Sequence, residues 1–207
     1  MVDSEPVARR AWETVLLSYG RELNEQTYAQ MVGLRLEESA KLVRDTFELS
    51  IPPAELADQK EKIMAQLRAE GLPVMPGLHR LMEFLNGRAV PWAVATSSRR
   101  TYARDVLQQL GYLEKCRAIA AGDEVNRGKP NPDLYLLAAE RLSILPENCL
   151  ALEDSVPGGQ AALAAGMTLM AVPNGHTTAA DFPFAHYVFD SLNEVVAHLQ
   201  SAPHLFV

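Results

Sequence analysis

The chain has 207 residues, 48% of them hydrophobic and 22% charged, close to the make-up of a soluble globular protein. Composition and length exclude a disordered tail, a collagen-like rod and a low-complexity linker, and suit one domain or one domain carrying a smaller insert. The net charge of −7, with basic residues clustered no further than pairs such as Arg99-Arg100, argues against nucleic acid as a partner. No apolar run reaches the roughly 18 residues of a membrane helix, so no membrane partner is expected.

In chain order, the first seventy residues read as helices. Ala8, Ala11, Trp12, Val15 and Leu16 recur at three- and four-residue spacing. A second pattern through Tyr28, Met31 and Val32 breaks at Gly33, and a third carries Ala40, Leu42, Val43 and Phe47 behind Glu37 and Glu38. Pro52-Pro53 opens a fourth helix that runs through Met64 and Leu67 to about Gly71. No strand-like alternation occurs here, and short loops make this block a small bundle of about four helices.

Beyond Pro76-Gly77 the pattern changes to short apolar runs separated by helices. The runs are Val90–Ala95, Ala118–Ala121, Cys149–Leu152 and Thr168–Val172, with His186–Phe189 as a fifth. Helices are expected from Leu78 to Leu85, through Tyr102 to Leu110, from Pro132 to Leu142 and from Gly159 to Ala165. Strands apolar throughout and alternating with helices indicate an α/β, Rossmann-like parallel sheet covered on both faces.

Functional residues of such a sheet sit beyond the C-terminal strand ends. That rule selects Thr96-Ser97-Ser98, Gly122-Asp123 and Glu153-Asp154-Ser155. Thr96 and Ser97, where a strand feeds a helix, read either as an anion site suited to phosphate or as an ordinary helix cap. Glu153 and Asp154 read either as acids at a helix start or as hard oxygen ligands for Mg²⁺. Lys129, in Gly128-Lys129-Pro130-Asn131-Pro132, is held by two prolines and suits charge neutralisation as a point cation. The five histidines show no metal-ligand spacing. Cys116 and Cys149 read as small core residues in a reducing cytoplasm, and the acidic stretch Met1–Glu5 is unlike a signal peptide.

These loops, in this order, resemble the haloacid dehalogenase-like hydrolases, and more narrowly the subgroup of β-phosphoglucomutase and sugar-phosphate phosphatases. Val94-Ala95-Thr96-Ser97-Ser98 is similar to the second motif, Gly122-Asp123 with Gly128-Lys129-Pro130 to the third, and Leu152-Glu153-Asp154-Ser155 to the metal-binding fourth. The resemblance implies a helical cap over residues 5–73 inserted into a core over residues 74–207, with residues 1–4 a remnant of the loop after the first motif. It implies a Mg²⁺-dependent phosphatase of a small phosphorylated metabolite acting through an aspartyl-phosphate. Thr96, Ser97 and Lys129 would hold phosphate, Asp154 would bind the metal with Glu153 helping through water, and Gly33-Leu34-Arg35 would meet the substrate from the cap. A phosphomutase and a non-catalytic phospholigand-binding protein are the alternatives.

The family's first motif, Asp-x-Asp-Gly, ends a central strand and precedes Val-Asp-Ser-Glu-Pro. Here Val2-Asp3-Ser4-Glu5-Pro6 is present, and the two aspartates, nucleophile and general acid/base, are not. The resemblance therefore implies a missing strand between those ending at Thr96 and Asp154, with Met1 an internal methionine of a longer protein.

Overall fold

Trp12, Val15 and Leu16 form one face of the first helix, α1 (Glu5–Ser18), and burying that stripe requires further helices with a matching face. These are α2 (Glu25–Met31), α3 (Leu36–Phe47) and α4 (Pro53–Glu70), whose Tyr28, Met31, Ala40, Val43 and Leu56 close over it as one core. Local signals set the ends. Asn24 caps α2 by accepting from Thr27 N at 2.8 Å, and Glu38 reaches back to accept from Arg35 N at 3.0 Å ahead of α3. Pro53 starts α4, where its missing N–H leaves nothing unsatisfied. The computed structural model describes residues 2, 5–71 and 73–202, so Asp3 and Ser4 of the leading segment lie outside the described residues. The chain divides into two compact units, Met1–Val74 and Met75–Val207.

The second unit is an α/β fold. Helix α5 (Leu78–Gly87) precedes β1 (Ala93–Thr96), α6 (Arg100–Gln109), β2 (Ala118–Ala121), α7 (Asp133–Leu142), β3 (Leu150–Glu153), α8 (Val156–Ala164), β4 (Thr168–Ala171), β5 (Tyr187–Val188) and α9 (Leu192–Ser201). β1 begins three residues later than the apolar run predicts, because Pro91 has no N–H to place in a ladder. All pairings within strands are parallel and form two groups, β1–β2 with Ala93 opposite Ala118, and β3–β4–β5 with Leu150 opposite Thr168. Among the described residues no strand is hydrogen-bonded to both β1 and β3. Burial follows that division: β2 is buried throughout, whereas every residue of β1 and alternate residues of β3 are half-buried.

Helix α7 packs against both groups. Leu134 and Ala138 meet Ala120, Ala93 and Ala95, while Tyr135 and Ala139, one residue further round the helix, meet Ala151, Ala161 and Leu169. Small residues along β1, β2 and α8 permit close helix-on-sheet contact. No helix among the described residues is long and apolar enough to cross a membrane, and both cysteines are free.

The end of β2 is tied by one carboxylate. Glu124 accepts from Ala121 N at 3.0 Å, from Arg141 Nη2 at 2.9 Å and from Arg100 Nη1 at 3.1 Å. Arg141, with Ala121 N and Arg100, holds the Glu124 carboxyl below its ordinary range against the opposing effect of partial burial. A depressed carboxyl contributes stability that is complete above the unfolded pKa and lost as pH falls through the folded one. Glu124→Gln is expected to cost about 1 kcal/mol at neutral pH, given the solvent around both guanidinium groups, and to flatten the acid limb of the stability curve. Urea denaturation at pH 7 and pH 4 measures both; equal losses at the two values would count against the assignment.

Candidate active site

The loops after β1, β2 and β3 meet at one end of the second unit. Gly122 lies against the loop after β1: its N–H donates to Ser98 O at 2.9 Å, and a Cβ there would stand 2.2 Å from Ser97 O. Only glycine allows that approach. Thr96 ends β1, and its Oγ1 accepts from Ser98 N at 3.1 Å, which leaves the hydroxyl proton to be donated. Neither Thr96 nor Ser97 caps α6, which starts only at Arg100, and the Arg100 N–H is taken by Asp123 Oδ1 at 2.9 Å. Of the two readings open for this pair, the helix cap is therefore not what the fold builds.

Lys129 is carried in by the loop ahead of α7, across a cis Lys129–Pro130 peptide. Its side chain is 9% exposed and its ammonium pairs with Glu153 Oε1, whose side chain is 6% exposed. The same Nζ lies 3.4 Å from Ala95 O, so this one cation links the ends of β1 and β3. Tyr135, fully packed on α7, donates its hydroxyl to Glu153 Oε1 as well, and its ring centroid is 5.4 Å from Lys129 Nζ. The other oxygen, Oε2, accepts from Ser155 Oγ at 3.0 Å, Asp154 N at 3.2 Å and Ser155 N at 3.4 Å. Burial works against ionisation of Glu153, but the Lys129 ammonium and the hydroxyls of Tyr135 and Ser155 outweigh it and keep the carboxyl low. Burial, then the Glu153 charge, pushes the Tyr135 phenol well above its usual range.

Adjacent Asp154 points into different surroundings. Its Oδ2 accepts from Asn174 Nδ2 at 3.0 Å and its carbonyl accepts from Thr177 Oγ1 at 2.9 Å. Burial, with the Glu153 charge next to it, raises the Asp154 carboxyl. The two acids at the end of β3 are thus pushed in opposite directions, one neutralised internally and the other short of positive charge. Ser155 caps α8 by accepting from Gly158 N at 3.2 Å.

Among the described residues no three His, Cys, Asp or Glu side chains converge as a metal centre. The donor chemistry still fits Mg²⁺ at Asp154, since that ion takes one or two carboxylates and keeps most of its water. Glu153, with both oxygens supplied by protein donors, is placed to hold Lys129. In the first unit, Gly33 turns at φ 83°, and the Arg35 guanidinium pairs with Glu38 at 2.6 Å.

Tyr135, Asn174 and Thr177 are not among the residues that the sequence patterns single out. Asn174 had a usable signal, since Pro173-Asn174-Gly175 follows β4 at the same sheet end as the other loops. Tyr135 had none beyond its place on the apolar stripe of α7.

Residues 1–166 match the profile of the haloacid dehalogenase-like hydrolases, and the chain belongs to that family. A phosphorylated carbohydrates phosphatase of Thermotoga maritima is 29% identical over 171 residues, 81% of this chain and 77% of its own. The fructose-1-phosphate phosphatase YqaB of Escherichia coli is 32% identical over 167 residues, 81% of this chain and 88% of its own. Among solved structures, CbbY of Rhodobacter sphaeroides in complex with phosphate matches with a TM-score of 0.85 at 27% identity, covering 94% of this chain and 91% of that one.

Proposed function

We propose that this protein is a phosphatase of a small phosphorylated carbohydrate, a sugar or polyol phosphate, with Mg²⁺ held at Asp154. The observation that carries this reading is the position of Lys129, a cation buried between the ends of two strands, one ending in Thr96 and the other in Glu153, next to Asp154. Relatives named as phosphatases of phosphorylated carbohydrates and of fructose 1-phosphate support the substrate class.

In this mechanism Thr96 donates its hydroxyl to a phosphoryl oxygen and Ser97 holds a second. Lys129, fixed by Glu153, offsets the charge that gathers on those oxygens as the bond to the sugar breaks. Glu153 thus serves the reaction by aiming Lys129. When bound, Mg²⁺ supplies further positive charge for the phosphoryl group. Arg35, with Gly33 and Leu34, selects among phosphosugars.

The attacking group is a carboxylate that forms an acyl phosphate as the phosphorus–oxygen bond to the sugar breaks; water then cleaves that acyl phosphate to inorganic phosphate. Glu153 is committed to Lys129 and Asp154 to the cation, so neither serves. We place the nucleophile on a parallel strand between β1 and β3, a reading supported by the half-buried residues along both strands.

Phosphate release from a panel of sugar phosphates with Mg²⁺ tests this, using the 207-residue chain and a chain extended before Val2 by an apolar strand ending in Asp-x-Asp-Gly. Turnover is expected only from the extended chain, with a melting temperature above that of the shorter one. Turnover by the shorter chain would overturn the placement of the nucleophile, and no release by either would overturn the phosphatase reading. With a sugar 1-phosphate, formation of the 6-phosphate in place of free phosphate would identify a mutase.

A further inference from the structure

The loop after β4 makes contacts that the proposed phosphatase chemistry does not use. β4 pairs with β3 so that Ala171 stands opposite Glu153, and Val172 N donates to Glu153 O at 2.7 Å. The chain leaving β4 therefore passes directly beside the end of β3. There it holds Asp154 twice, through Thr177 Oγ1 on the backbone carbonyl and Asn174 Nδ2 on Oδ2 of the carboxylate.

The Asn174 amide has one sensible orientation. Its Oδ1 accepts from His176 N at 2.9 Å, while its own backbone N–H donates to Thr177 Oγ1 at 3.2 Å. Turned over, the amide would set its NH₂ against the His176 N–H and its oxygen against the Asp154 carboxylate, two repulsive contacts in place of two hydrogen bonds. The loop thus keeps an N–H donor aimed at one particular oxygen of Asp154.

We propose that Asn174 is a positioning residue that sets the cation selectivity of Asp154. By donating to Oδ2 it biases the carboxylate towards offering Oδ1 to a cation and disfavours a grip by both oxygens on one ion. Mg²⁺ is small and octahedral, and accepts a single oxygen from a carboxylate while keeping its water. Ca²⁺ is larger, takes more oxygens and readily accepts both from one carboxylate. Engaging Oδ2 in this way therefore disfavours Ca²⁺ more than Mg²⁺. It also holds the Asp154 carboxylate in place before a cation arrives, the usual work of a hydrogen-bonding partner behind a metal ligand. This inference rests on the reading of Asp154 as the cation ligand.

Titrations of the chain with Mg²⁺ and, separately, Ca²⁺, followed by the amide NMR signals of Asp154 and Ser155, test it without any turnover. Asn174→Ala is expected to weaken Mg²⁺ binding about tenfold, as loss of such a partner generally does. Ca²⁺ binding should hold or tighten, so that the ratio of the two affinities falls at least tenfold. Asn174→Asp keeps the acceptor that His176 uses but faces Asp154 with a second carboxylate, and is expected to favour Ca²⁺ outright. It also answers the question if Asn174→Ala fails to fold. An affinity ratio unchanged in a folded variant would overturn the role of Asn174 alone. Absence of any cation-dependent shift in the unsubstituted chain would overturn Asp154 as the ligand and this inference with it.

Discussion

Lys129→Met should destabilise the second unit by about 3–5 kcal/mol, the usual cost of removing one partner of a buried ion pair. The loss is large because the partner left behind cannot reach water: the Glu153 side chain is 6% exposed, enclosed by Tyr135 and the start of α8. Its hydrogen bonds from Tyr135, Ser155 and two backbone amides would remain, but none carries a full charge. The sign of the pH dependence should also invert. With Lys129 present the Glu153 carboxyl is held low, so its contribution persists above the usual carboxylate range and is lost as pH falls. Without Lys129, burial dominates and raises the carboxyl, so stability would be greatest at acid pH and lost as pH rises. The gap between variant and parent should therefore narrow towards pH 4. Lys129→Met with Glu153→Gln should recover a substantial part of the loss, because a neutral amide tolerates the same site without a counter-ion. Guanidinium denaturation of the three proteins at pH 7 and pH 4 measures each of these differences. A single-variant cost below about 1 kcal/mol would show that the pair is solvated.

Gly158→Ala is the second substitution expected to act strongly. A methyl at that position would lie 2.1–2.2 Å from all three atoms of the Glu153 carboxylate group. The carboxylate cannot step aside cheaply, since both oxygens are held, and moving it disturbs Lys129 as well. Overpacking of this kind costs about 1–3 kcal/mol before any hydrogen bond is lost, and each buried group left unpaired adds a similar amount. Gly87→Ala is the matched control. It lies at the end of α5 with nothing within 4 Å of the added methyl, and is expected to be neutral or stabilising by up to about 1 kcal/mol. Melting curves of both variants beside the parent give the comparison. Equal effects at the two glycines would mean that Glu153 is not fixed where it stands.

The parts of this site that could be read from the sequence were those encoded by short, local patterns. Thr96 and the Glu153-Asp154 pair end apolar runs and Lys129 stands directly before two closely spaced prolines, so strand-end position alone marks most of them. What could not be read was which acid pairs with Lys129. Glu153 was expected to assist a metal through water, and nothing in Leu152-Glu153-Asp154-Ser155 says that the first acid turns inward. That depends on Lys129, 24 residues earlier, and on Tyr135, whose hydroxyl on the first turn of α7 reaches the same carboxylate. Thr96 and Ser97 also read as an ordinary helix cap, yet the helix begins three residues after Ser97, with Asp123 from another loop on its first free amide. The helices of the first unit were easier, because their boundaries rest on Asn24, Pro53 and similar residues that act within one turn.

Helix α7 gives the second unit an uneven resistance to opening. Leu134 and Ala138 belong to the packing around β1 and β2, and Tyr135 and Ala139 to the packing around β3 and β4. One strand pair can therefore loosen while its counterpart holds, but α7 is released only when both do. Its amides should exchange with solvent at the rate of global unfolding, while those of β1, at the margin of its pair, exchange through a smaller and more frequent fluctuation. The helix that presents Tyr135 to the site is, on this view, the last segment of the unit to give way.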